Sequence, residues 1–169
     1  SSDLLLTLCT GTLGGAEQPT EPMDAVLERE NLPAIDGRRD FAAFELAGRW
    51  ILAGGRAGEG PEAVYLRDGY ILDPEGEGWQ RIPVPGAVAN GAVAGAGAGV
   101  WMAGGRDAAG LSDRVFRMEL VDGSLRTVEE LPALPEALEG ASAVAAGDRL
   151  FVAGGLTRAG IPSDRLFWL

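Results

Sequence analysis

Hydrophobic positions along this chain fall in short runs, and one such run occurs three times. Arg49-Trp50-Ile51-Leu52-Ala53-Gly54-Gly55 returns as Gly99-Val100-Trp101-Met102-Ala103-Gly104-Gly105 and again as Arg149-Leu150-Phe151-Val152-Ala153-Gly154-Gly155, 50 residues apart each time. A short continuous apolar run closed by glycine predicts a strand buried on both faces, because a half-solvated strand would alternate apolar and polar residues. The double glycine predicts a sharp bend or a close approach of neighbouring backbone. There a residue with a β-carbon would meet a penalty of roughly 1–2 kcal/mol if φ is positive.

A second marker keeps the same period. Leu32-Pro33, Ile82-Pro83 and Leu131-Pro132 lie 50 and 49 residues apart, and proline is tolerated at the end of an edge strand, where no ladder donor is lost. Between the double glycine and the next proline marker come two further strand candidates. In the first repeat they are Ala63-Val64-Tyr65-Leu66, continuing through Tyr70-Ile71-Leu72, and Trp79-Gln80-Arg81-Ile82. In the second they are residues 114–120 and Leu125-Arg126-Thr127-Val128, and the third reaches Arg165-Leu166-Phe167-Trp168-Leu169.

Four short strands per 50-residue unit describe a propeller blade, a four-stranded antiparallel sheet packed face to face on its neighbours around a central channel. The expected fold is therefore all-β, a partial kelch-type β-propeller with about two and a half to three blades. Residues 32–169 are divided into repeats at about 32–81, 82–131 and 132–169. Propellers close with about four to eight blades, and an open stack leaves apolar faces in water. The chain is accordingly expected to be part of a longer protein, or to self-associate to close.

Residues 1–16 read differently. The apolar Leu4-Leu5-Leu6-Thr7-Leu8-Cys9 is followed by Gly14-Gly15-Ala16, which predicts either a truncated signal peptide or a strand that completes a blade. The first alternative implies a periplasmic or secreted protein, the second leaves a cytoplasmic one open. Residues 17–31 read as a linker. No stretch of about 20 apolar residues is present, so no membrane span is expected.

Composition removes several chemistries. The 169 residues carry a formal charge of −11 with no histidine, and all 14 basic residues are arginine. An acidic chain without a basic cluster is a poor nucleic-acid binder. Without histidine there is no His-based triad or imidazole metal site, and without lysine no Schiff base. Cys9 is the single cysteine, so no internal disulfide or thiolate metal site can form. No metal and no cofactor are expected. Asp73-Pro74-Glu75-Gly76-Glu77-Gly78 resembles the start of a calcium loop, but position 12 would be Val84, which cannot coordinate, and a hairpin turn is expected instead. Gly95-Ala96-Gly97-Ala98-Gly99 reads as the turn between the first two strands of the second blade.

Superposing the repeats by their double glycines sets Arg39, Ala89 and Glu139 at one position and Asp40, Asn90 and Gly140 at the next. Both precede a strand at the channel mouth, where ligands usually sit. Arg39, Asp40, Asn90 and Glu139 are therefore candidates for one ligand-binding pocket, Arg39 clamping a carboxylate and the others bonding hydroxyls. The residues just after the double glycines, Arg56, Arg106 with Asp107, and further on Arg158, form a second set. Their alternatives are an acidic ligand or surface pairs with Asp113, Glu59 or Asp164. The expected partner is a sugar or a protein.

The residues Leu131-Pro132-Ala133-Leu134-Pro135, the run from Ala143 to Gly155 and the segment from Ser163 to Leu169 together resemble the bacterial kelch proteins of the cyclically permuted mutarotase group, which includes the sialate mutarotases (N-acetylneuraminate epimerases). The resemblance covers roughly residues 31–169. It implies a six-bladed propeller, often periplasmic, that interconverts sugar anomers by proton transfer without metal or cofactor. It also implies an acid/base pair made of a glutamate after a glycine turn and an arginine a few residues on. Here the residues after the double glycines are Arg56, Arg106 and Leu156, so the resemblance assigns no catalytic residue within this chain. A non-catalytic kelch module that binds a protein or glycan through blade-top loops is the alternative.

Overall fold

The structure, a computed structural model, describes residues 37–73, 78–86 and 88–169. The expectations for residues 1–16 and 17–31, Cys9, the Leu32-Pro33 marker and the tip of the hairpin after Asp73 lie outside the described residues. The described residues belong to one compact unit, Leu32–Leu169.

Each 50-residue repeat folds as one main antiparallel sheet, and in the first two repeats a small accessory sheet stands beside it. The first contains β1 (Arg38–Arg39), β2 (Ala42–Leu46), β3 (Arg49–Ala53), β4 (Arg56–Ala57), β5 (Val64–Tyr65), β6 (Asp68–Asp73) and β7 (Gly78–Pro83). Strands β2, β3, β6 and β7 pair in that order as the first blade. The second contains β8 (Ala92–Ala96), β9 (Gly99–Ala103), β10 (Arg106–Asp107), β11 (Gly110–Leu111), β12 (Val115–Val121) and β13 (Ser124–Leu131), of which β8, β9, β12 and β13 form the second blade. The third blade has three strands, β14 (Ser142–Ala146), β15 (Arg149–Ala153) and β16 (Leu166–Trp168). The registers superpose across blades: Ala42 faces Ala53, Ala92 faces Ala103 and Ser142 faces Ala153. Chain order equals spatial order within a blade, and the long connection from its second to its third strand carries the loops at the mouth.

Strands β2, β8 and β14 pack on one another as the inner rank. The proline markers close the outermost strands, Pro83 ending β7 and Pro132 following β13. One expectation changes. Residues 63–66 do not continue into Tyr70-Ile71-Leu72, because the Leu66 N–H bonds the Gly55 carbonyl at 2.9 Å and turns the chain aside. Strand β5 therefore joins β1 and β4 in a small separate sheet. The glycine-rich turn is also tighter than expected, since Gly95 and Gly99 lie within β8 and β9 and only Gly97-Ala98 turns.

Two apolar layers hold the blades together. Ile51, Ala53 and Ile71 of the first blade meet Val100, Met102, Phe116 and Met118 of the second. Ala92, Ala94, Ala103 and Val115 of the second meet Leu138, Leu150 and Val152 of the third. The middle blade is thus covered on both faces, which is why its second strand reads Val-Trp-Met without polar alternation. Burying such side chains stabilises by about 1.5–3 kcal/mol each.

The double glycines are where the blades touch. Gly104 and Gly105 have φ of 66° and 90°, and a β-carbon on Gly104 would lie 2.5 Å from the Leu138 carbonyl oxygen of the next blade. The Gly105 N–H donates to that same oxygen at 2.7 Å. Gly54 and Gly55 receive the Val88 carbonyl in the same manner. The motif is therefore a seat for the neighbouring blade's backbone, and any side chain would displace it.

Candidate functional site at the channel mouth

The segment entering each inner strand carries one residue in the left-handed region: Asp40 at φ 58°, Asn90 at 57° and Gly140 at 66°. Asp, Asn and Gly are the residues that tolerate this conformation. The bend aims each peptide at the next blade. The Asn90 N–H donates to the Asp40 carbonyl at 2.7 Å and the Gly140 N–H to the Asn90 carbonyl at 2.8 Å. A main-chain lace thus runs from blade to blade around the mouth.

Side chains gather on this lace. The preceding residues Arg39, Ala89 and Glu139 pair with Arg56, Arg106 and Leu156, the residues after the double glycines. The Arg56 Nε donates to Asp40 Oδ2 at 2.6 Å within the first blade. Arg106 of the second blade reaches Glu139 of the third, Nε to Oε2 at 2.8 Å and Nη2 to Oε1 at 2.9 Å. Hydrogen bonds from Arg106 hold the Glu139 carboxyl below the usual glutamate range against its partial burial; Arg56 lowers it further and Asp40 opposes them. Asp40, Arg56, Arg106 and Glu139 therefore share one electrostatic cluster built from three blades, with Tyr65 close enough to act on Arg106.

Of the residues singled out in the sequence, Asp40, Asn90, Glu139, Arg56 and Arg106 come together here. Arg39 bonds Glu59 Oε1 at 3.1 Å and the Gly58 carbonyl at 3.3 Å, an exposed pair outside the cluster. Arg158 sits in an exposed turn. The surface partners expected for Arg56 and Arg106 give way to Asp40 and Glu139.

The loops beside the cluster line a cleft of about 540 Å³ between the first two blades, with Tyr65, Arg67, Asp107, Ser112, Arg114 and Phe116 on its walls. Among the described residues the Arg67 guanidinium has no ion-pair partner, whereas Arg114 is bound by Glu130. No group of three or more metal-ligating side chains occurs among the described residues, and no described helix is long and apolar enough to cross a membrane.

A second charged node escaped the sequence reading. Arg38 is partly buried, its side chain only 4% exposed, with Nη1 donating to the Gly54 and Asp68 carbonyls at 2.9 Å each and Nη2 to Asp68 Oδ1 at 2.8 Å. Its guanidinium also lies over the Tyr70 ring, 5.1 Å from the centroid. Arg81 Nε takes the other Asp68 oxygen at 2.6 Å. Burial alone would raise the Asp68 carboxyl, but the bonds from Arg38 and Arg81 outweigh it and hold it below the usual aspartate range. The available clue was Arg38 itself, a charge at the repeat position filled by Val88 and Leu138.

No family model matches the sequence, and no curated protein matches it. Among solved structures the chain is similar to the structure of YjhT, with a TM-score of 0.60 and 18% sequence identity over 77% of this chain. The match spans only 42% of the length of that chain. A likeness at this identity is one of fold, and with the repeat geometry it makes the chain an all-β, partial kelch-type β-propeller.

Proposed function

We propose that this chain forms part of a kelch-propeller sugar mutarotase or epimerase-like protein that uses metal-free acid/base chemistry on a carbohydrate at the channel mouth. The observation that carries this reading is the convergence of Asp40 and Arg56, Arg106, and Glu139 from three successive blades at one end of the inner strands. Guanidiniums there can hold a sugar carboxylate by two parallel bonds, and the Arg67-bearing cleft adds a cation without an ion-pair partner among the described residues. The resemblance to the sialate mutarotases supplies the reaction class.

In such a reaction a base takes the anomeric hydroxyl proton while an acid protonates the ring oxygen, and the bond between the anomeric carbon and the ring oxygen breaks. Closure on the opposite face returns both protons, so no metal or redox cofactor is consumed. Glu139 is the candidate proton acceptor, and since the bonds from Arg106 lower its basicity, substrate would have to draw Arg106 away for it to act. The test is proton NMR of sialic acid and neutral aldoses freshly dissolved as one anomer. Faster anomerisation with the wild-type protein, lost in Glu139→Gln, is expected; no acceleration for any of these sugars sinks the enzymatic reading.

A second reading, a non-catalytic kelch module that binds a glycan or protein through the same loops, is favoured by the pairing of both carboxylates. Asp40 and Glu139 each already hold an arginine, and Arg56, Arg106 and Leu156 stand where the family places its glutamate. Binding without turnover, weakened by alanine at Asp40 and Asn90, would select it. An export address belongs to the same proposal through residues 1–16.

A further inference from the structure

The segment that leads into the third strand of each blade is tied to the double glycine in the same way three times. Leu66, Ser112 and Ser163 donate their N–H groups to the second glycine's carbonyl at 2.9, 2.9 and 2.8 Å, and the carbonyls of Asp68, Arg114 and Arg165 accept the first glycine's N–H. These bonds set Leu66-Arg67-Asp68 in register with Ser112-Asp113-Arg114 and Ser163-Asp164-Arg165. The order of charge is reversed in the first blade alone. Asp113 of the second blade is thus followed by Arg165 of the third, whereas at the first junction Arg67 is followed by Arg114.

Both arginines line the cleft of about 540 Å³ between the first two blades, one on each wall. The chain holds 25 acidic residues against 14 basic ones, yet Arg67 has no ion-pair partner among the described residues. Its neighbour Asp68 already accepts from Arg38 and Arg81. Arg114 lies over the Phe116 ring, 5.6 Å from the centroid, and its pair with Glu130 is exposed on both sides. Such a pair is worth little and gives way to a better anion. Ser112 Oγ accepts the Arg114 N–H at 3.2 Å, which leaves the hydroxyl proton to donate. Among the described lining residues the one carboxylate is Asp107, whose Oδ1 accepts the Ala109 N–H at 2.7 Å. Asp40, Arg56, Arg106 and Glu139 do not line this cleft.

We infer that this cleft binds a small organic phosphate, its phosphoryl group between Arg67 and Arg114 with the Ser112 hydroxyl donating to it. Two guanidiniums from different walls suit a tetrahedral group with three terminal oxygens, whereas one fork in its own plane satisfies a carboxylate. The cleft exceeds what a phosphate fills and falls within the range of about 300–1,000 Å³ common to small-molecule sites. The organic part then lies against Tyr65, on the same cleft wall as Arg67. A formal charge of −11 on the chain repels long polyanions and restricts the ligand to a small one. The inference is independent of the reaction proposed at the mouth.

Isothermal titration calorimetry of the 169-residue chain with phenyl phosphate tests it, with inorganic phosphate and benzoate as the other two titrants. Phenyl phosphate should bind more tightly than either, because benzoate lacks the third oxygen and inorganic phosphate lacks the ring. Arg67→Asp restores the charge order of the other two blades and should keep the β-sheet circular dichroism spectrum. It should weaken phenyl phosphate at least about tenfold, as should Arg114→Gln. Arg126→Asp makes the same change of charge at an exposed strand position outside the cleft and should leave binding unchanged. No binding of phenyl phosphate, benzoate bound as tightly, an affinity that Arg67→Asp leaves intact, or equal losses in Arg67→Asp and Arg126→Asp overturns the inference.

Discussion

The Arg106 guanidinium grips Glu139 with two parallel bonds, 2.8 and 2.9 Å long, across the boundary between the second and third blades. A side chain at the mouth is therefore also a clasp between blades. Glu139→Ala should lower unfolding stability by about 1 kcal/mol, the upper end for a solvent-accessible pair. Glu139→Gln should lose somewhat less. Chemical denaturation of both variants checks this, with the larger deficit in the alanine.

Acid sensitivity follows from the two carboxyls held below their ordinary range. Glu139 and Asp68 are each more acidic folded than unfolded, so their contribution is complete above the ordinary carboxylate range. It is lost as pH falls through their lowered folded values. Wild-type stability should decline below the usual glutamate range, and Asp68→Asn and Glu139→Gln should each flatten that decline. Thermal melts between neutral and strongly acidic pH measure it.

Glycines of identical sequence context should differ sharply in what they tolerate. Gly104→Ala places a methyl 2.5 Å from the Leu138 carbonyl oxygen and should cost about 3 kcal/mol or more, combining overpacking with the left-handed penalty. Gly154→Ala meets no atom of the described residues within 4 Å and should cost only the backbone penalty of about 1–2 kcal/mol. Unfolding of the pair in dilute solution shows the difference.

Arg38→Met should be severe although Arg38 belongs to neither arginine–carboxylate pair of the mouth. It removes three bonds at once and takes the Arg38 donor from the Gly54 carbonyl and from Asp68 Oδ1 in partly buried surroundings, while the Asp68 carbonyl keeps the Gly54 N–H. Unpaired buried groups cost about 1–3 kcal/mol each, so a loss of about 3 kcal/mol is expected by denaturant titration. Leu138→Ala, which empties a fully buried site between the second and third blades, should lose a similar 2–5 kcal/mol.

The register of the blades was legible because its determinants are local. A double glycine and a buried strand before it are set by short-range sterics, so three copies 50 residues apart announce the architecture. The mouth was legible by the same superposition: Asp40, Asn90 and Gly140 share one backbone conformation, and the sequence shows three residue types that tolerate it. Partnerships were not legible. Arg106 finds Glu139 across 33 residues, and Arg39 turns to Glu59 instead, because guanidiniums on long stems choose among carboxylates by three-dimensional reach. Strands β5 and β6 are separate because the Leu66 N–H bonds the Gly55 carbonyl and turns the chain aside, and the polar Arg67-Asp68-Gly69 between two apolar runs is the local mark of that break.

The lace through Asp40, Asn90 and Gly140 divides two tasks that most pockets confuse. Its rungs are peptide groups, so the ties among these three residues need none of their own side chains. What projects into the channel is then an interchangeable vocabulary of short residues, restricted only by handedness. A carboxylate, an amide or a bare hydrogen can be exchanged at any rung while the frame stands, which makes the mouth a surface whose ligand preference can be rewritten one blade at a time.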